Sequence, residues 1–338
     1  MLHGALIGAW HVHFDQYASE FAARKDCRIT VLWDDDPQRG MAAAEKYHCR
    51  FEPDYDRLLQ QPDVDAVIIA SSTDQHRPLI EKAARAGKHI YTEKVLAFTY
   101  AEAKEIAQVV RESKVKFCIS YPWACRPFFL AAKKSVEEGL LGEITYARFR
   151  NCHNGALAGW LPEAFYDPVL CGGGAMMDLG AHSMYLLDML LGMPDTISSV
   201  FTHVTGRAVE DNAVSVFRYA NGAIASSETG FTASEDPFSL EICGSKGTLL
   251  AGGHTDETVI NVGKGWTALP LPEPLPCPMD LWVEDILGKD AAPFDIDAAV
   301  RLSQLMETAY LSDRERREIH VVGNNTLSPF GKIYPTKK

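Results

Sequence analysis

The 338 residues contain no basic tract, no long apolar run and no closely spaced cysteine pair, and each absence removes a class of function. Lysine and arginine number 33 against 45 aspartates and glutamates, a formal net charge of -12. A chain of that sign without a basic stretch is not built to bind nucleic acid or an anionic membrane surface. Its apolar runs fall short of the ~20 residues a membrane-spanning helix requires, so no membrane partner is expected. The opening MLHGALIGAW lacks the charged start of an export signal and runs straight into what reads as a strand. The eight cysteines form no CxxC pair. Without an export signal they are expected to be reduced thiols in a cytoplasmic protein. Repeats and low-complexity segments are also missing, and the length accommodates two domains, each with its own core.

What is present centres on residues 172–191, GGGAMMDLGAHSMYLLDMLL. Three glycines precede an apolar run that Gly192 and Pro194 bring to a stop. Met176, Met177, Leu179, Met184, Leu186, Leu187, Leu190 and Leu191 point around most of a cylinder, so the helix is expected to be buried. Asp178, His182 and Tyr185, spaced by four and three residues, share one stripe of it. Ionisable groups on a buried helix are costly unless paired or at work. A satisfied core pair and a catalytic pair both fit this pattern.

The first 120 residues alternate short apolar strands with amphipathic helices, which implies βαβ units and a parallel sheet covered on both faces. On such sheets ligands sit at the carboxyl ends of the strands, near the point where strand order reverses. The loop after the first strand, Gly8-Ala9-Trp10-His11-Val12-His13, keeps one glycine of the three that a dinucleotide fingerprint uses. Trp10 and His13 stand in the other two places. Gly8, Ala9, Trp10, His11 and Val12 are the expected cofactor loop, with His11 and His13 available as donors to a pyrophosphate. Asp34 lies 26 residues after Gly8, at the end of the second strand, where an acid accepts ribose hydroxyls. Asp35 beside it repels a 2′-phosphate, so NAD is the expected cofactor in preference to NADP.

Residues 87–96, GKHIYTEKVL, resemble the signature of the Gfo/Idh/MocA oxidoreductases, whose usual form is Glu-Lys-Pro after the fifth strand. Residues 70–76 (ASSTDQH) are similar to that family's cofactor-contacting turn, and 139–144 (GLLGEI) to its entry into the second domain. Residues 178–182 (DLGAH) resemble its catalytic helix and 244–249 (GSKGTL) its hairpin. The resemblance implies an α/β protein with an N-terminal Rossmann dinucleotide-binding domain over residues 1–121. A C-terminal α+β domain over 122–338 would follow, with a large open, mostly antiparallel sheet for substrate binding and oligomerisation. It adds Ser71, Ser72, His76, Glu93 and Lys94 to the cofactor site and implies a homodimer or homotetramer through the C-terminal sheet. Asn221-Gly222 between two alternating runs signals a hairpin independently. Departures are Val95 in place of the proline, the depleted glycine loop, and a single arginine, Arg126, in the segment 121–127.

Oxidising an alcohol removes a hydride from carbon and a proton from oxygen, which calls for a base near neutrality and a donor to the developing alkoxide. The resemblance assigns this catalysis to Lys94, Asp178 and His182. An imidazole is suited to be the base, Asp178 orients it or the substrate, and Lys94 holds the substrate oxygen. Trp123, Arg126, His153, Asn154, Trp160 and Tyr166 join those three as expected substrate contacts, since polyols bind by hydrogen bonds plus an aromatic face. The expected activity is an NAD-dependent dehydrogenase of a sugar, sugar derivative or inositol-like cyclitol, with no resident metal. Three alternatives use overlapping residues: a dinucleotide sensor without turnover, a redox-assisted glycosidase, and a metal-assisted hydrolase or lyase. The last would use Asp178 and His182 with His153 or Cys171 as ligands.

Overall fold

The strands of the first sheet are short and apolar because helices cover both of its faces. The computed structural model describes residues 1–235, 237–253, 257–289 and 293–321. β1 (Leu2–Ile7), β2 (Cys27–Trp33), β3 (Arg50–Phe51), β4 (Ala66–Ile69), β5 (His89–Thr92) and β6 (Phe117–Ile119) pair in parallel in the order β3-β2-β1-β4-β5-β6. This is the doubly wound arrangement, with strand order reversing between β1 and β4. Helices Phe14–Ala22, Pro37–Lys46, Tyr55–Leu59, His76–Arg85 and Tyr100–Ser113 form the crossovers. Their starts follow local chemistry: Asp36 accepts from the Gln38 and Arg39 N–H groups with Pro37 at the first turn, and Thr99 accepts from Glu102.

Two compact units emerge, Met1–Pro122 with Pro276–Ser303, and Trp123–Leu275 with Gln304–Lys338. The segment 276–303, which its place in the chain would put in the second domain, packs with the first sheet. Trp282 is the reason. Its indole is fully buried against the Phe21 and Tyr91 rings, at centroid distances of 6.4 and 5.6 Å. Helix Pro278–Ile286, which carries it, is also tied by Arg24 to Asp280 and by Lys116 to Asp285. Residues 322–338, the end of the expected C-terminal domain, lie outside the described residues.

The second unit is built on nine strands. β7 (Ile144–Cys152), β8 (Thr196–Thr202), β9 (Asn212–Arg218), β10 (Ile224–Gly230), β11 (Phe238–Gly244), β12 (Thr248–Gly252), β13 (Thr258–Asn261), β14 (Thr267–Ala268) and β15 (Ile319–His320) lie in the order β14-β13-β12-β11-β7-β10-β9-β8-β15. Pairing is antiparallel except between β7 and β10. The Asn221-Gly222 turn joins β9 to β10 as its sequence implies, and residues 245–247 join β11 to β12. Alternation decides the faces: in β9 Ala213, Ser215 and Phe217 are buried while Val214, Val216 and Arg218 are exposed. Helix Ala181–Leu191 covers the buried face over β7 and β10.

The stretch 172–191 is not one uniform helix. Met176–Gly180 forms a wide π-type turn, and the α-helix proper begins at Ala181. Gly192 then stops it with a positive φ.

Trp282→Ala is expected to destabilise the protein by ~3–5 kcal/mol through the cavity it leaves. Trp282→Phe should cost far less, because among the described residues the buried indole N–H has no acceptor. Urea unfolding of both variants measures the difference.

Candidate active site

In the first unit the candidate residues collect at the carboxyl ends of β1, β2, β4 and β5. Gly8 has φ +76°, and a Cβ there would come within 2.8 Å of the Ser71 backbone, so loop and turn meet at the reversal point only because residue 8 is glycine. Backbone bonds fix the loop: Gly8 N–H donates to Trp33 and His11 N–H to Ala70. Asp34 is buried and accepts from the Ala9 N–H at 2.6 Å and from the Asp36 N–H at 2.7 Å. It also takes both arms of Arg39, at 2.7 and 3.0 Å. Arg39 reaches Asp35 as well, at 2.5 Å, and Gln75 donates to the same carboxylate. The one guanidinium is therefore shared between carboxylates, and the turn Asp34-Asp35-Asp36 keeps an excess of negative charge.

The turn after β4 carries Ser71 and Ser72, both buried. His76, fully buried at the start of the next helix, donates from Nδ1 to the Val95 carbonyl at 2.8 Å. This bond steadies the segment after β5, whose Lys94–Val95 peptide is cis. Burial holds the His76 imidazole below its ordinary pKa, against the opposing pull of that carbonyl. Lys94 and Glu93 are buried side by side, Nζ to Oε1 at 3.9 Å. The other Glu93 oxygen faces His13 Nδ1 at 2.9 Å, His11 Nδ1 at 3.4 Å and the Tyr17 hydroxyl. Burial alone would raise this carboxyl, but His11, His13 and Lys94 hold it well below the usual carboxylate range.

In the second unit the stripe of residues 178, 182 and 185 acquires partners. His182 Nδ1 lies 2.9 Å from the Tyr185 hydroxyl, which also accepts from the Trp123 backbone N–H at 3.2 Å. The imidazole stacks on Trp123, with centroids 5.3 Å apart and planes at 26°. The Arg126 guanidinium lies over the same indole, 4.3 Å from its centroid. Trp123, Arg126, His182 and Tyr185 thus form one cluster, while Asp178 sits half-buried in the π-type turn just before it. Turns of that kind recur at functional sites. His153, Asn154 and Trp160 form a second group: His153 stacks on Phe231 at 4.8 Å, and Trp160 donates to the Asn154 side chain. Tyr166 stands elsewhere, its buried ring beneath Arg207.

Glu210, which sequence reasoning missed, organises the turn that precedes Asp178. This buried carboxylate accepts from the Gly174 and Met176 N–H groups at 2.9 Å and from the Tyr310 hydroxyl at 2.7 Å. The Gly173 and Gly174 positions leave no room for a side chain, since a Cβ would fall 1.9 Å from the Tyr310 oxygen or 2.0 Å from the Glu210 carbonyl. Nothing near Glu210 in the sequence announces this role, because its partners are 34 residues away or more. The glycine triplet was the only signal.

The family model described as oxidoreductase family, NAD-binding Rossmann fold, matches residues 2–121, and the GFO/IDH/MocA C-terminal domain matches residues 129–250. The chain belongs to the Gfo/Idh/MocA oxidoreductases. Inositol 2-dehydrogenase of Rhizobium meliloti (strain 1021) is 27% identical over 323 residues, 90% of this chain and 95% of that protein. The 1,5-anhydro-D-fructose reductase of Ensifer adhaerens is 29% identical over 206 residues, 58% of this chain and 59% of its own length. Levoglucosan dehydrogenase in complex with NADH and levoglucosan shares the fold, with a TM-score of 0.84 at 21% identity over 95% of this chain and 99% of that one.

In this Gfo/Idh/MocA oxidoreductase, Asp178, His182, His153 and Cys171 do not gather, among the described residues, into a group that could share an ion. Among the described residues the group of His, Cys, Asp or Glu close enough to share an ion is His11, His13 and Glu93.

Two outcomes are expected from the buried ionisable groups. Glu210→Gln turns an amide toward backbone donors and should lower stability by ~1.5–3 kcal/mol in urea unfolding. His76 binds its proton more weakly folded than unfolded, so its contribution is complete above the ordinary imidazole value of ~6.5 and is lost as pH falls below it. The slope is up to ~1.4 kcal/mol per pH unit. Thermal melts of wild type and His76→Asn between neutral and mildly acidic pH should show the variant with the flatter profile.

Proposed function

We propose that this oxidoreductase transfers a hydride between NAD and a hydroxyl of a sugar, sugar derivative or inositol-like cyclitol, with Lys94, Asp178 and His182 as the catalytic group. The observation that carries the reading is the Trp123–His182–Tyr185 arrangement: an imidazole held through Nδ1 against an aromatic plate, with Arg126 on the same indole. This is the combination a polyol needs, a base together with an apolar face and hydrogen-bond donors. The names of the inositol and anhydrofructose relatives support the substrate class.

The first unit fits the cofactor. Gly8 is pressed against Ser71 as a close backbone approach requires, and the loop sits where strand order reverses. Gly8, Ala9, Trp10, His11 and Val12 with Ser71, Ser72, His76 and Glu93 would hold the dinucleotide, and Asp34 its ribose. The acidic turn around a single neutralised Arg39 supports NAD over NADP. NAD, when bound, supplies the hydride acceptor. His182 takes the hydroxyl proton through Nε2, the nitrogen opposite its Tyr185 contact. Lys94 donates to the substrate oxygen as it gains negative charge, and Asp178 orients substrate or imidazole.

The exposed apolar positions Val200, Val214, Val216 and Ile224 share one face of the second sheet, with Val200 opposite Val214. They support pairing of subunits across it as a homodimer or homotetramer. All eight cysteines stand as thiols rather than disulfides, which supports a reducing, cytoplasmic setting.

The test is a polyol and cyclitol screen with NAD and NADP, followed by absorbance of the reduced cofactor. Turnover with NAD is expected, with kcat lowered ~10²–10⁴-fold in His182→Ala. Undiminished turnover in His182→Ala would remove it as the base, and faster turnover with NADP would reverse the cofactor assignment.

A further inference from the structure

We propose that His11, His13 and Glu93 form a binding site for a divalent transition-metal ion of the zinc class, on the loop that has lost two of its three fingerprint glycines. The site lies entirely within the first unit and shares His11 and Glu93 with the proposed dinucleotide site, so it is tested in protein freed of dinucleotide.

Three ligand atoms converge. Glu93 Oε2 lies 2.9 Å from His13 Nδ1 and 3.4 Å from His11 Nδ1, and all three atoms fall within 4.8 Å of one another. Ligands held at ~2.0–2.1 Å around a tetrahedral ion are roughly 3.3 Å apart, so only small movements separate this cluster from a coordination shell. The Tyr17 hydroxyl, against Glu93 and 3.5 Å from His13 Nδ1, adds an oxygen at the same point. Two imidazoles with one carboxylate are a donor set that selects zinc-class or iron-class ions over magnesium or calcium.

The placement of donor atoms supports a cation at the centre. The His13 backbone N–H points at His11 Nδ1 at 3.2 Å, and the same nitrogen stands 3.4 Å from Glu93 Oε2. Glu93 is divided in a way that suits single-oxygen ligation: Oε1 accepts from the Lys94 N–H at 2.9 Å, while Oε2 faces the histidines. The cluster is also built rather than exposed. Glu93 is 1% and His11 8% exposed, with His13 at the rim.

The sequence places the two histidines on either side of Val12 after β1 and the acid at the end of β5, so the ion would bridge two strand ends. Glycine loops present backbone N–H groups to an anion. A cation held by His11, His13 and Glu93 supplies positive charge at the same loop by other means.

The experiment uses full-length protein treated with chelator and freed of dinucleotide, titrated with Co²⁺ while visible absorption is followed. Saturable binding is expected, with visible d–d bands of a nitrogen–oxygen site and without the near-ultraviolet band of a cobalt thiolate. His13→Asn and His11→Asn should each weaken Co²⁺ at least ~10-fold, and Zn²⁺ should raise the melting temperature of wild type but not of the double variant. His13→Asn, at the rim, keeps the test usable if loss of the buried His11 unfolds the chain. No saturable binding, a thiolate spectrum, or affinity unchanged in His13→Asn would each overturn the site.

Discussion

Glu93 is an ionised carboxylate with 1% of its surface exposed, and the first unit is arranged around the need to compensate it. Burial alone would protonate it, and the groups that prevent this come from three places in the chain: Lys94 beside it, His11 and His13 from the loop after β1, and Tyr17 from the following helix. Strand order brings them together, because β5 lies beside β4 and β4 beside β1 at the reversal of the sheet. Unusual residues in the loop therefore serve the same acid that neighbours the lysine. The depleted glycine fingerprint and the buried glutamate are two sides of one electrostatic arrangement.

The second unit meets a similar constraint with a different solution. Glu210 is buried beneath the residues that lead into the helix of His182, and here burial raises the carboxyl. Backbone N–H groups and the Tyr310 hydroxyl compensate it in place of cations. That choice explains the glycines before Asp178: the acceptor must reach the backbone, and side chains at 173 and 174 would keep it away. The widened turn at Met176–Gly180 follows directly and delivers Asp178 ahead of an ordinary helix that carries His182 and Tyr185.

Much of this was legible in the residues. The alternation of strands and helices, the Asn221-Gly222 hairpin and the stop at Gly192 follow from local rules of period and backbone freedom, which operate over a few residues. The spacing of His182 and Tyr185 predicted a shared stripe, and the 2.9 Å contact between them meets it. Membership of the Gfo/Idh/MocA family was readable because several short motifs occur in one order along the chain.

Local sequence thus determined most of the elements and the class of each sheet, since each depends on neighbours within a turn or a hairpin. Tertiary structure alone decided that 276–303 joins the first unit through Trp282, that Glu210 holds the turn before Asp178, and that His11, His13 and Glu93 share one point. It also decided that Trp123 lies under His182 while His153 and Trp160 gather around Phe231. The physical reason is common to all of these. Burial and charge compensation act through space, between residues tens to hundreds of positions apart, and no local pattern records which of them will meet.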